Sequence, residues 1–262
     1  MSKALILRDY PEAGIARLTL NRPDSFNALS EEMLQALGSE CEDLAGPGGT
    51  GTKVVIIAAT GKAFSAGHDL KQMMAQQSLD YYRGLFSNCS HVMQSLQKLP
   101  QIVIAQVQGI ATAAGCQLVA MCDLGIAAEH ARFAVSGINL GLFCATPSVA
   151  LVRSMHRKQA MYMLTTGDFV SAQQALAWGL INDVVPDTML ESETLALARK
   201  IAAKPAPALR FGKRLFYEQI EAQIGKAYQL AEETMAQNMM ETSALEGIQA
   251  FIEKRPPSWS GK

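Results

Sequence analysis

Two stretches of small residues each follow a strong strand signal. One is Phe64-Ser65-Ala66-Gly67-His68-Asp69-Leu70-Lys71; the other is Gln108-Gly109-Ile110-Ala111-Thr112-Ala113-Ala114-Gly115-Cys116-Gln117. Small side chains let a ligand approach the main chain. Free N–H groups at a loop or a helix start can then hydrogen-bond an oxygen that gains negative charge. Either loop alone reads as tight packing at a strand-to-helix turn. Together they suggest two donors converging on one carbonyl oxygen.

Other chemistries find less support. Gly46 to Lys53 has the composition of a phosphate-binding loop, but Thr52 separates the last glycine from the lysine and the segment precedes a strand. The four histidines (His68, His91, His130, His156) are far apart and lack zinc spacing to one another or to a cysteine, so no metal site is expected. There is no G-x-S-x-G elbow and no G-x-G-x-x-G fingerprint after a strand. The five cysteines are scattered without a C-x-x-C pair and read as buried free thiols.

The elements that must position the two loops are legible from periodicity. A hairpin is expected over the first ~20 residues, then a helix capped by Ser30 that buries Met33, Leu34, Leu37 and Leu44. Val54-Val55-Ile56-Ile57 and Ile102-Val103-Ile104-Ala105 read as strands buried on both faces. Between them Leu79, Tyr82, Phe86, Cys89, Met93 and Leu96 mark one face of a helix that Pro100 ends. A strand is expected from Leu124 and again over Leu180 to Val185; beyond about residue 145 helical patterns otherwise dominate. This gives an α/β core over residues 1–185 and a helical region over 186–262.

Composition bounds the class. A hydrophobic fraction of 49% excludes a disordered chain, and no apolar run approaches the ~20 residues of a membrane span. A net charge of −1 gives no footprint for nucleic acid. The start of the chain lacks a signal-peptide pattern, which leads to the expectation of a cytoplasmic protein with neither membrane nor nucleic acid among its partners.

The ordered series of segments resembles the crotonase (enoyl-CoA hydratase/isomerase) family over essentially the whole chain. It comprises Asn21 to Leu29, Phe64 to Lys71, Gly109 to Gln117 with Met121-Cys122-Asp123, Ala131 to Ala134, Gly167, Ala172 to Gly179, Val184-Val185-Pro186 and Phe251 to Arg255. The run Asn139 to Pro147 narrows the resemblance to one subgroup. It implies a spiral of ββα units, a C-terminal helical trimerisation region, a homotrimer or homohexamer, and an acyl-CoA thioester as ligand, with no cofactor besides the coenzyme A it carries. The thioester oxygen would be held by the backbone N–H groups of His68 and Ala114. Ala66 would meet the adenine through its carbonyl, and Asp24, Phe26, Asp69, Leu70 and Lys71 would line the coenzyme A surface. An acidic Asp24 departs from the basic residue common at that place.

The chain departs from the family where hydration needs acid–base groups. The two glutamates of the hydratases correspond here to Gln117 and Gly137. Glutamine orients a water but does not take its proton near neutral pH, and glycine has no side chain. Standard hydratase activity is therefore not expected, and three readings stand: an enzyme of the family with altered chemistry, a non-catalytic acyl-CoA-binding protein, or an acyl-CoA thioesterase. Ser136 and Cys144 are nucleophile candidates only if a base activates them; Asp69 and Asp123 read as structural.

Overall fold

The computed structural model describes residues 4–259. A hairpin of β1 (Ile6–Glu12) and β2 (Ile15–Leu20) opens the chain. In α1 (Glu31–Ala45) the Ser30 hydroxyl accepts the Met33 N–H, and Glu31 and Glu32 occupy the first turn, where negative charge is favoured. Strands then come in pairs. β3 (Val54–Ala59) and β4 (Ala63–Ser65) precede α2 (Leu70–Ala75) and α3 (Leu79–Lys98). β5 (Ile102–Val107) and β6 (Ile110–Thr112) precede α4 (Ala114–Met121). β7 (Leu124–Ala128) and β8 (Arg132–Ala134) precede α5 (Ala145–Ser154) and α6 (Arg157–Thr166). Short β9 (Val170–Ser171), α7 (Ala172–Ala177) and β10 (Asp183–Val185) close the core.

The first strand of each pair enters a six-stranded sheet ordered β1-β2-β3-β5-β7-β10, parallel from β2 onward. The second enters a four-stranded sheet ordered β4-β6-β8-β9. Each ββα unit thus adds one strand to each of two sheets, and the chain winds as the expected spiral. Both candidate loops leave the second sheet, after β4 and after β6, and these two strands are paired neighbours.

The uninterrupted apolar run of β3 has a physical reason. Val55 and Ile57 face the main core with α1 and α3, while Val54 and Ile56 face the opposite side, where α8 (Leu190–Ala202) contributes Leu195, Ala198 and Ile201. Successive side chains alternate, so a strand covered on both faces is apolar throughout. The expected boundary at 185/186 falls just before α8, and α8 packs on the sheet.

In α3 the outcome differs from the spacing. Leu85, Cys89, Val92, Met93 and Leu96 are buried, whereas Leu79 is exposed and Tyr82 and Phe86 are half-buried. The N-terminal half of α3 runs beside the loop after β4, where Phe86 meets the His68 ring. Phe86 makes that contact while also packing on the edge of the main core, as Tyr81 does.

Helices α9 (Ala206–Ile220), α10 (Ile224–Met239) and α11 (Thr242–Ile252) complete the chain. One buried cluster fixes α9 to the core. Lys213 Nζ lies 2.6 Å from Asp123 Oδ2 and donates to the Leu96 and Gln101 carbonyls at 2.8 Å. Tyr217 donates to Asp123 Oδ1 at 2.7 Å, and the Val103 N–H to Oδ2 at 2.7 Å. Burial pushes the Lys213 pKa down against the opposing pull of Asp123. Asp123 is thus structural: it ties α9 to the end of α4 and the start of β5. Beyond α9 the apolar faces find less cover. Leu190, Leu197 and Ile201 are used on the sheet, but Leu245, Ile248, Phe251 and Ile252 of α11 remain exposed, Phe251 at 84%.

Lys213→Met removes the cation and leaves the Asp123 carboxylate in a dry site with two neutral donors. Chemical denaturation should show a loss of about 3–5 kcal/mol, the usual result of breaking a buried pair from one side. A loss below about 1 kcal/mol, the scale of an exposed pair, would mean that the cluster does not hold α9.

Candidate active site

Asn27 anchors the first loop. Its backbone is left-handed (φ 52°), a conformation that Asn adopts more readily than most residues. Its side chain donates to the Thr60 and Ala63 carbonyls at 2.8 and 2.9 Å and accepts the Arg22 N–H at 2.8 Å. Two backbone bonds extend the attachment: Ala66 N–H to the Phe26 carbonyl (3.0 Å) and Leu29 N–H to the Gly67 carbonyl (2.7 Å). The Ser65 hydroxyl donates to the Asn27 carbonyl at 2.9 Å and accepts the Gly67 N–H at 3.3 Å. The loop after β4 is therefore held on one side by residues 26–29.

On its other side it meets the start of α4. Gly67 has φ +85°, and a Cβ there would come within 2.9 Å of Ala113 Cβ and 3.0 Å of the Ala114 nitrogen. A Cβ on Gly115 would lie 2.3 Å from the Ser65 carbonyl oxygen. Ala113 carries φ 51° and ψ −121°, a strained backbone worth about 1–3 kcal/mol for an L residue. Its own N–H donates to the Ala134 carbonyl and its carbonyl accepts the Gln117 N–H. The N–H groups of His68 and Ala114 thus leave backbones that touch. Neither has an acceptor among the described residues.

The side chains around these donors fall into three groups. Asp69 is structural, as expected: its Oδ1 accepts the Lys71 and Gln72 N–H groups and caps α2, and its Oδ2 pairs with Arg22 at 3.2 Å. Asp24, Phe26, Leu70 and Lys71 are exposed, and Phe26 adjoins Ala66 through its carbonyl. The His68 ring packs edge-to-face on Phe86 with centroids 5.5 Å apart, and Tyr82 stacks beyond Phe86. Burial pushes the His68 pKa below the ordinary histidine value, with a hydrogen bond to the Leu29 backbone opposing.

Gln117 lies on α4 three residues after Ala114, buried, with Oε1 unpaired. It lines a groove of ≈1040 Å³ between α3, α4, α5, α6 and α9. Gly137 is buried in a 3₁₀ turn (Ser136–Leu140). A Cβ there would come within 2.6 Å of the Leu142 carbonyl oxygen and 2.7 Å of Cys144 Sγ. The space of a side chain at 137 is therefore filled by the chain that follows it.

The nucleophile candidates lack bases. Burial pushes the Cys144 thiol up, and Cys116 up to about 12. Ser136 shares its hydroxyl only with Thr112, at 2.9 Å. Among the described residues no three His, Cys, Asp or Glu side chains form a metal cluster, and no helix is long and apolar enough to cross a membrane. Two features were not evident from the sequence: Phe86 as the neighbour of His68, and Cys144 in the place of a side chain at 137. The first lies on the expected apolar face of α3 and packs on the core, but its His68 contact carries no sequence signal, and neither does the second feature.

Residues 11–262 match the family model described as enoyl-CoA hydratase/isomerase. A solved enoyl-CoA hydratase from Mycobacterium smegmatis is 57% identical with a TM-score of 0.96, covering 98% of this chain and 99% of that one. The human enoyl Coenzyme A hydratase domain-containing protein 3 structure is 44% identical with a TM-score of 0.93, covering 98% and 100%. The curated Homo sapiens relative, "Enoyl-CoA hydratase domain-containing protein 3, mitochondrial", is 46% identical over 247 residues, 94% of this chain and 81% of the relative. The expectation of a cytoplasmic protein is corrected here, because the human, mouse and rat relatives are all named mitochondrial. A compartment is set by an address segment that import machinery reads, which composition and fold do not encode.

Gly67→Ala tests the contact between the two loops. The new Cβ meets atoms at 2.9–3.0 Å on a backbone that L residues rarely adopt, so denaturant melts should show a loss of about 1–3 kcal/mol. Gly84→Ala in α3 meets nothing within 4 Å and should instead stabilise by up to about 1 kcal/mol. Equal effects at the two positions would contradict the role given to Gly67.

Proposed function

Because the chain belongs to the enoyl-CoA hydratase/isomerase family, we propose that it binds an acyl-CoA thioester whose carbonyl oxygen accepts hydrogen bonds from the N–H groups of His68 and Ala114. The observation that carries this reading is the contact of Gly67 with the first turn of α4, which leaves two unpaired N–H donors side by side. Donors fixed in place stabilise the negative charge that grows on a thioester oxygen, and removing one such donor typically lowers turnover about 10²–10³-fold. Ala66, Asp24, Phe26, Leu70 and Lys71 form the coenzyme A surface in this proposal. Asp69 and Arg22 hold the loop that presents them. No cofactor is called for besides the coenzyme A of the ligand.

The same reading separates this chain from a two-glutamate hydratase. Hydration needs a base to take a proton from water and an acid to deliver one to the α-carbon. Gln117 can do neither near neutral pH. Position 137 offers no side chain, and Cys144 fills the adjoining space as a thiol whose pKa burial raises. The filled position also favours a second reading, binding without turnover. It further means that Gln117→Glu with Gly137→Glu does not rebuild an acid–base pair unless Cys144 and the Leu142 carbonyl give way.

Self-association is part of the proposal. The exposed face of Leu245, Ile248, Phe251 and Ile252 on α11 is the kind of surface that a second copy covers. A homotrimer or a homohexamer accounts for it.

Two measurements follow. Crotonyl-CoA hydration should be at least ~10³-fold slower than in a relative with both glutamates, since acid–base catalysis typically contributes 10²–10⁴. Products from a panel of CoA thioesters, read by mass spectrometry, separate the readings. Gain of a water means hydration, free coenzyme A means hydrolysis, and a bound but unchanged thioester means binding alone. Ordinary hydration rates would refute the account of positions 117 and 137. Light scattering should give three or six times the 28.2 kDa chain mass, and a monomer at micromolar concentration would rule out the self-association.

A further inference from the structure

The glycine-rich segment Gly46 to Lys53 does not have the order of a nucleotide-binding loop, yet it borders a pocket of its own. The pocket holds ≈170 Å³ and lies between this segment, Gln101 and the first turn of α9. It adjoins the starts of β3 and β5, and each strand then runs six residues away from it. At ~3.3 Å per residue the far ends of these strands, which lead toward the two candidate loops, are about 20 Å distant. The acyl-CoA reading makes no use of this pocket.

Two kinds of unsatisfied group line it. Gln101 is only 3% exposed, and its Nε2 donates to the Leu44 carbonyl at 2.7 Å. That bond fixes which end of the amide is oxygen, and Oε1 is left buried without a partner among the described residues. Native proteins rarely leave such an acceptor unpaired, because its desolvation is costly. Gly49 lets the loop close on this amide: a Cβ there would lie 1.8 Å from the Leu44 carbonyl oxygen and 2.7 Å from Gln101 Nε2. Across the pocket α9 starts after Pro205 with no side-chain cap. The Ala206 and Ala208 N–H groups have no acceptor among the described residues, and Arg210 lies one turn on from Ala206. The ion pair of Arg210 with Glu241 is long, at 3.6 Å. Lys53 donates to the Ala202 and Lys204 carbonyls and brings its charge to the same pocket.

These groups select a ligand. An open helix start and two cations call for an anion. The unpaired Oε1 calls for a hydrogen on that same anion. Sulfate and carboxylates are ionised near neutral pH and offer none. A phosphate monoester, with a second pKa of about 6, has mostly lost its hydrogen by pH 7.5. Bicarbonate keeps a hydrogen but leaves two acceptor oxygens for three donors. A lone water satisfies Oε1 and leaves the charge unanswered. Inorganic phosphate keeps at least one O–H near neutral pH and has three further oxygens. We propose that the pocket between the Gly46–Lys53 loop and α9 binds inorganic phosphate. Its P–OH donates to Gln101 Oε1, and its other oxygens accept from Arg210 and from the Ala206 and Ala208 N–H groups.

The test is calorimetric titration of the full-length protein at pH 7.5 and constant ionic strength with inorganic phosphate, sulfate, bicarbonate and glycerol 3-phosphate. Phosphate should bind once per chain with a Kd below about 1 mM, and each of the other anions about tenfold or more weakly, the scale of one buried hydrogen bond left unmade. Arg210→Gln, at a half-exposed position, should weaken phosphate about tenfold. Gln101→Met should erase the preference for phosphate over sulfate. Crystals soaked in arsenate, which also keeps an O–H, should show its anomalous signal within hydrogen-bond distance of Gln101 Oε1. Absence of phosphate binding overturns the proposal, as does sulfate or glycerol 3-phosphate binding as tightly as phosphate. Unchanged phosphate affinity in Arg210→Gln, or arsenate found only elsewhere, also overturns it. The Arg210→Gln and arsenate arms hold even if Gln101→Met fails to fold, and none of these outcomes bears on the acyl-CoA reading.

Discussion

There is no room for a side chain between Gly67 and the first turn of α4, and the candidate site depends on that approach. Any Cβ at 67 would press on Ala113 and the Ala114 nitrogen, and any Cβ at 115 would press on the Ser65 carbonyl. Two glycines thus let two backbones meet edge to edge, next to His68 and Ala114, whose N–H groups have no backbone acceptor among the described residues. The strain held at Ala113 belongs to the same junction. The surrounding bonds of Asn27, Ser65 and Asp69 over-determine that geometry, which is the condition for strain to persist in a folded chain.

The rest of the fold supports this junction from a distance. β4 and β6 are paired neighbours, so the loops that follow them emerge together. The six-stranded sheet behind them is covered on both faces, by α1 and α3 on one side and α8 on the other. At the far end of α4, Asp123 gathers a lysine, a tyrosine and a backbone N–H, fixing the helix that carries Ala114 and Gln117 relative to α9. The elements that would hold an oxygen in the proposed reading are thereby fixed in place, and positions 117 and 137 carry no carboxylate. A scaffold of this kind keeps binding and polarisation separate from the choice of reaction.

Much of this was legible from residue order. The small-residue loops, the Ser30 cap, the doubly buried strands and the dominance of helix after residue 145 follow from local rules that tertiary packing did not override. The resemblance supplied the winding, which no periodicity encodes. What stayed hidden depends on contacts distant in sequence. Lys213 reaches Asp123 across ninety positions of chain, and nothing local to Lys213 marks it as buried. Phe86 follows the core face of α3 and packs at its edge, and its second contact, with the His68 ring, joins segments that the sequence keeps apart. The filling of position 137 by Cys144 is a matter of how one short loop folds back, and a glycine in the sequence does not reveal what occupies its empty side.

The central claim is that the thioester oxygen sits between two backbone donors. A crystal structure of the protein with a bound acyl-CoA tests it most directly. The account predicts the carbonyl oxygen about 2.7–3.1 Å from both the His68 and the Ala114 nitrogens. A thioester bound elsewhere, or an oxygen that meets water in place of these two N–H groups, would contradict it.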